Sequence, residues 1–173
     1  MVDGKKIKLR PWEPSDLTFF GTLRNDLHLQ LSLMSLPRPN SPRRVQEWLD
    51  RKSGAEDGVF FVIATKQDDR PVGFIEIRSM NPIHGWGWLG IGIAVEARGQ
   101  GYAREALTRV EDYVSRVFGL RKIVLEVTAT NVSAIHLYKA SGYEQVGIHR
   151  EHFFHDGQYL DVILMEKHIS GKP

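Results

Sequence analysis

Apolar residues alternate with polar ones in "IKLRP" (7–11), and this period of two predicts a first strand ended by Pro11. Ser15 stands at an N-cap position before "DLTFFGTLRN", which reads as a short helix. "LSLMSLPRPNSP" (31–42) reads as a proline-rich loop. Ser41-Pro42 then opens a helix that carries Val45, Trp48 and Leu49 on one face and stops at Gly54. The pattern next returns to strands. "GVFFVIAT" (58–65) is almost wholly apolar, "VGFIEIRSM" (72–80) alternates, and "WGWLGIGIAV" (86–95) holds Gly87, Gly90 and Gly92 in its interior. Glycines weaken a strand, so three of them predict a bulge or the close approach of another backbone or a ligand.

A spacing of four and three follows. Ala103, Leu107, Val110, Val114 and Val117 define one buried helix face, with Gly119 as its stop. "KIVLEVTA" (122–129) reads as a strand and "NVSAIHLYKAS" as a helix capped by Asn131 and closed by Gly142. Two long strand patterns flank His155-Asp156-Gly157, a hairpin signal. The order β α α β β β α β α β β predicts an α/β (α+β) fold. Antiparallel hairpins come first, then a β-α-β unit, giving a mixed sheet with helices on both faces.

Composition narrows the chemistry. The 173 residues fit one domain, expected over 7–169, and 42% hydrophobic with 25% charged residues is a globular profile. The absence of cysteine excludes disulfides, zinc-thiolate sites and a thiol nucleophile. No signal peptide or membrane-length run is present, so a cytoplasmic protein without a membrane partner is expected. A formal net charge of +2, with acids and bases interspersed, gives little support to a nucleic-acid partner.

The first chemical signal is Arg98-Gly99-Gln100-Gly101-Tyr102-Ala103, between a strand end and a helix start. A helix N-terminus presents unpaired N–H groups and the positive end of its dipole. Glycines let those groups reach an anion, and Arg98 adds donors suited to phosphate. A Walker A loop requires Gly-Lys-Ser/Thr, absent here, and a dinucleotide fingerprint requires a small residue where Arg104 stands. A plain glycine turn without ligand is the other reading. The second signal is "NVSAIHLYKASGY" (131–143), with Asn131, Ala134, Tyr138 and Gly142-Tyr143 on and after a helix.

Together the two stretches resemble the GNAT superfamily of acyl-CoA-dependent N-acetyltransferases. The ending "REHFFHDGQYLDVILM" (150–165) is similar to the branch of ribosomal-protein N-terminal and spermidine/spermine acetyltransferases. The resemblance implies a mostly antiparallel mixed sheet, splayed at a central β-α-β acyl-CoA site, with acetyl-CoA as co-substrate and no metal. It implies that Ile93, Ala94 and Val95 offer backbone groups to pantetheine and that residues 98–103 hold the diphosphate. Asn131 and Ala134 then lie near the coenzyme, and Tyr138 protonates the departing sulfur. Family members often carry a glutamate around the position of Trp88. Glu76 on the neighbouring strand is the substitute expected here to take the amine's proton.

Other features read as follows. His149, His152 and His155 recur every third residue, but strand alternation puts 149 and 152 on opposite faces, which argues against a metal. Trp86 and Trp88 would share a face and either wall an acceptor pocket or pack the sheet. Phe153 and Phe154 lie near the hairpin, facing substrate, a second subunit of a homodimer, or the core. The likeness of the C-terminal stretch favours a polyamine or a protein N-terminal amine as acceptor, but the loop at 31–44 carries three arginines and no acid, which counts against a polyamine. It leaves an acidic peptide, a nucleotide-linked amino sugar, an aminoglycoside-like amine or an amino acid. A non-catalytic acyl-CoA sensor on the same fold is the alternative to an enzyme.

Overall fold

The computed structural model describes residues 2–169. Eight strands form one sheet: β1 (Val2–Asp3), β2 (Ile7–Arg10), β3 (Val59–Thr65), β4 (Pro71–Asn81), β5 (Trp86–Ile93), β6 (Lys122–Thr128), β7 (Glu144–His155) and β8 (Gln158–His168). Their order is β1-β2-β3-β4-β5-β6-β8-β7. Every neighbouring pair is antiparallel except β5 and β6. The helices are α1 (Leu17–Asn25), α2 (Leu27–Ser32), α3 (Pro42–Ser53), α4 (Tyr102–Phe118) and α5 (Val132–Ala140).

Local chemistry explains the boundaries. Ser41 accepts from the Arg44 N–H and starts α3, with Pro42 in its first turn. Gly119, at φ +66°, ends α4. Asp156 and Gly157, both at positive φ, make the β7–β8 turn. The sequence reading missed α2, which is only six residues long. It forms because the Asp26 carboxylate accepts from the Leu29 N–H and because Leu29 and Gln30 are buried. Gln30 also holds the following loop, donating to the carbonyls of Arg24 and Arg38 and accepting from the Arg38 N–H.

Two apolar layers lie on opposite faces of the sheet, as alternation in β3 requires. Phe60, Val62 and Ala64 join Phe20 and Leu23 of α1 and Val45, Trp48 and Leu49 of α3. Ile63, Ile75 and Ile77 join Leu107, Val110 and Val114 of α4. On α4, Ala106 takes part in the buried face while Val117, on the last turn, is 58% exposed. In the first layer Phe20, Trp48, Phe60 and Phe74 touch at ring centroids 5.4–6.2 Å apart. Such pairs add about 0.5–1.5 kcal/mol each beyond area burial, so this cluster holds α1 and α3 firmly on β3 and β4. A buried ion pair ties β2 to the same region. Arg10 donates to both Asp16 oxygens at 2.7 and 2.9 Å, and this holds its proton more tightly than in an ordinary arginine.

The glycines of β5 sit against side chains of β4; the β4–β5 register shift between Arg78 and Asn81 falls opposite Gly87, and Gly90 and Gly92 also border an open cleft. A Cβ on Gly87 would meet Ile77, one on Gly92 would meet Phe74, and one on Gly90 would lie 2.9 Å from Glu76 Oε1. The register places Gly90 directly opposite Glu76. The glycine is therefore what lets a carboxylate lie flat across the sheet face.

Candidate active site

The parallel pair β5–β6 is joined only at Trp86↔Lys122, Gly87↔Ile123 and Trp88↔Val124. Beyond Trp88 the two strands part, although β5 stays paired with β4 as far as Ile93 and β6 with β8 as far as Thr128. The split opens a cleft of about 870 Å³ in the sheet. Its walls bring together Glu76, Ile93, Arg98, Gly99, Gly101, Tyr102, Ala103, Asn131, Ala134 and Tyr138. These are residues that the sequence scattered over some sixty positions.

At one end lies the start of α4. Gly99 and Gly101 sit at φ +76° and +81°, a conformation costly for any residue with a Cβ. Neither is tightly packed: nothing lies within 4 Å of a Cβ on Gly99, and only Lys6 Nζ, at 3.8 Å, near one on Gly101. Among the described residues, no peptide N–H from Gly99 to Arg104 donates to a protein acceptor. A run of free donors at a helix N-terminus, reinforced by Arg98, is a ready seat for an anion. Lys6, which the sequence reading missed, adds a cation by donating to the Gln100 carbonyl at 3.1 Å. The amides of Lys5 and Lys6 in turn donate to Glu105 in the first turn of α4. No local pattern links residues 6 and 100; only the pairing of β1 and β2 beside α4 does so. Gln100 itself faces away from the cleft, into a recess of about 530 Å³ that Lys5, Lys6, Lys66 and Arg70 also line.

The expected backbone donors divide. Ala94 is buried, its N–H donating to Val72 and its carbonyl accepting from Ala97, so it offers no free donor. Val95 is 64% exposed in a short 3-10 turn outside the cleft. Ile93 lines the cleft, and its carbonyl presently accepts from Arg98 Nε at 3.2 Å. Asn131 caps α5, accepting from the Ala134 N–H at 3.2 Å.

Tyr138 is 8% exposed, and its ring meets that of Tyr143 edge-on at 5.8 Å. Burial pushes its phenol pKa up to about 12. Tyr143 behind it donates to Glu111 at 2.9 Å, and burial together with that carboxylate raises its pKa as well. At the other end of the cleft Glu76, 7% exposed, is held by Lys52 of α3, whose Nζ lies 2.9 Å from Oε1 and 2.8 Å from Oε2. Trp86 and Trp88 pack against each other at 6.1 Å and do not line the cleft; its tryptophan is Trp48. Glu126 of β6 also lines it, a carboxylate overlooked inside an apolar strand pattern.

The histidines differ from the alternation argument. A register shift between His149 and Phe153, with Glu151 at φ +48°, brings the His149 and His152 rings to one side, 4.8 Å apart. Among the described residues no group of three or more His, Asp or Glu side chains is placed to hold a metal ion.

An acyl carrier with a diphosphate fits this shape, because the split strands receive an extended arm and the α4 N-terminus its anion; the fold and cleft are those of an acyl-CoA-dependent acyltransferase. Residues 6–144 match the family described as the acetyltransferase (GNAT) domain. The chain belongs to that family and is an acetyl-CoA-dependent N-acetyltransferase. It is 31% identical to a spermidine N(1)-acetyltransferase of Vibrio cholerae, over 95% of this chain and 96% of that one. Identity to the corresponding enzyme of Escherichia coli K12 is 28%, over 95% and 87% of the two chains. A crystal structure of a Vibrio cholerae spermidine N-acetyltransferase with CoA and spermine superposes with a TM-score of 0.87 at 30% identity, covering 95% and 96%. A dodecameric form of the Vibrio cholerae protein gives 0.80 at 32% identity, covering 96% of each chain. Among the described residues no helix is long and apolar enough to cross a membrane.

Proposed function

We propose that the cleft carries out direct transfer of the acetyl group to a primary amine, with the coenzyme diphosphate on the free amides of residues 99–104 and Tyr138 as the acid. The carrying observation is that one cleft joins a buried, protonated phenol to a helix N-terminus whose amides have no protein acceptor among the described residues. Arg98 and Lys6 supply positive charge beside the diphosphate. The pantetheine arm follows the free edge of β5, where Ile93 is the residue in reach; Ala94 and Val95 are not assigned to it. Asn131 and Ala134 set the opposite wall at the start of α5.

The neutral amine nitrogen attacks the thioester carbonyl carbon. The C–S bond then breaks, sulfur takes the Tyr138 proton, and the nitrogen passes its surplus proton to water. Tyr138 recovers a proton from solvent. A phenol at about 12 would be a weak acid for an exposed thiolate. The burial that acts on Tyr138 raises the proton affinity of a thiolate formed beside it in the same way, so donor and acceptor stay matched. Glu76 receives the incoming ammonium and its proton, and Lys52 has to yield one of the two oxygens it holds. Direct attack requires no acyl-enzyme, which suits a chain without cysteine. Initial rates with both substrates varied should give intersecting lines, with one acetyl group appearing on the amine by mass spectrometry. Parallel lines with an isolable acetylated enzyme would refute direct attack.

The outermost strand β7 bears on self-association. It is exposed along nearly its whole length, with Val146 and Ile148 at 55% and 46% exposure, and Phe154 packed at a tilt against the exposed Tyr159 of β8. A long uncovered edge with apolar side chains is a template for pairing with another chain. We assign it to contact between copies of this protein, in line with the dodecameric relative. Light scattering should show a mass above that of one 19.7 kDa chain; a monomer at all concentrations would remove the assignment.

A further inference from the structure

Against Arg24, Arg51, Lys52 and Arg78 the cleft sets two carboxylates, Glu126 of β6 and, at the acceptor end, Glu76. That carboxylate is already matched by Lys52. Arg24 is the informative residue. Its guanidinium lies 4.6 Å over the Trp48 ring, and its Nε is buried with no hydrogen-bond partner. Burial, followed by repulsion from Arg51 and Arg44, pulls its pKa below the ordinary arginine value. A buried donor without an acceptor is costly, and two like charges drawn together add to that cost. Such an arrangement is relieved by an anion that accepts from both guanidinium groups.

Resting on the acetyltransferase reading of this cleft, we propose that the acceptor is a primary amine bearing its own anionic group, a carboxylate or phosphate, which Arg24 and Arg51 hold while the amine faces Glu76 and the thioester. A polyamine carries positive charge alone. It would meet the Arg24–Arg51 pair as a third cation and leave the buried Nε unsatisfied. The spermidine acetyltransferases above bear that acceptor in their names. This chain shares their fold while presenting an arginine pair at the acceptor end.

The test is a panel of acceptors with acetyl-CoA, followed by CoA release: free acidic and neutral amino acids, short peptides with acidic second residues, phosphoethanolamine, and spermidine. Anionic amines should exceed spermidine in kcat/KM by about a hundredfold, the scale of one to two charge-assisted hydrogen bonds. The panel's three anionic arms separate an amino acid, a peptide and a phosphorylated amine as the source. Arg51 is exposed and its replacement should not perturb folding. Arg51→Glu should lower kcat/KM for anionic amines at least about tenfold, raise it for spermidine, and leave the KM for acetyl-CoA unchanged. Spermidine matching or surpassing the anionic amines in the wild type, or equal losses for both classes in Arg51→Glu, would overturn the proposal. If no amine turns over while acetyl-CoA still binds, the failure belongs to the catalytic reading. Calorimetry with N-acetylaspartate and N1-acetylspermidine on the CoA complex then decides this one: it stands if only the former binds and Arg51→Glu weakens it, and falls otherwise.

Discussion

Tyr138→Phe is expected to lower kcat by about a hundred- to ten-thousandfold, the range a positioned general acid contributes. The substitution removes one hydroxyl and keeps the ring that packs on Tyr143 at 5.8 Å, so the cleft should retain its shape. The KM for acetyl-CoA should therefore change little, which marks a loss confined to the transition state. The pH profile adds a second readout. The folded phenol titrates near 12, above its ordinary value, so the acid form is full at neutral pH and is lost only as pH rises toward 12. Wild-type kcat/KM should therefore climb with pH as the amine loses its proton and show no falling limb below about pH 10. Glu76→Gln should depress the low-pH part of that climb, where a base matters most. A Tyr138→Phe enzyme with more than about a third of wild-type kcat would remove the residue from the mechanism.

Gly101→Glu is expected to abolish detectable acetyl-CoA binding, a loss of about a thousandfold or more from two additive effects. The first is conformational: at φ +81° a side chain costs roughly 1–2 kcal/mol. The second is electrostatic: a carboxylate placed among free N–H groups takes the seat of the diphosphate and repels it. Gly101→Ala separates the two, since it bears only the first and should weaken binding by about tenfold. Calorimetric titration with CoA measures both, and thermal unfolding confirms that the variants fold. Unaltered affinity in Gly101→Glu would show that the coenzyme's phosphates sit elsewhere.

The elements that the sequence made legible were those with a strong period or cap. Ser41-Pro42, Gly119 and Asp156-Gly157 mark their boundaries through local backbone chemistry, which acts over four or five residues. The glycine loop at 98–103 was legible for the same reason. What stayed hidden depended on tertiary placement. The parting of β5 from β6 past Trp88 was implied by the family resemblance alone; packing on either side decides it, and no residue in "WGWLGIGI" announces it. The β5 glycines signalled a bulge and a close approach, and the register shift opposite Gly87 and the places of Gly90 and Gly92 in the cleft wall agree, but their packing partners Ile77, Glu76 and Phe74 lie on another strand and could not be read from the pattern. The His149–His152 contact came from a bulge that breaks the period of two on which the opposite expectation rested. Trp48 was placed on the buried face of α3, yet only the stacking of α1 and α3 over β4 shows that its ring also floors a cleft.

The turn between β1 and β2 sits against the coenzyme loop, with Lys6 on Gln100 and the amides of Lys5 and Lys6 on Glu105. That turn thus braces the loop before α4, roughly a hundred positions away in sequence. A substitution in that turn would loosen the start of α4.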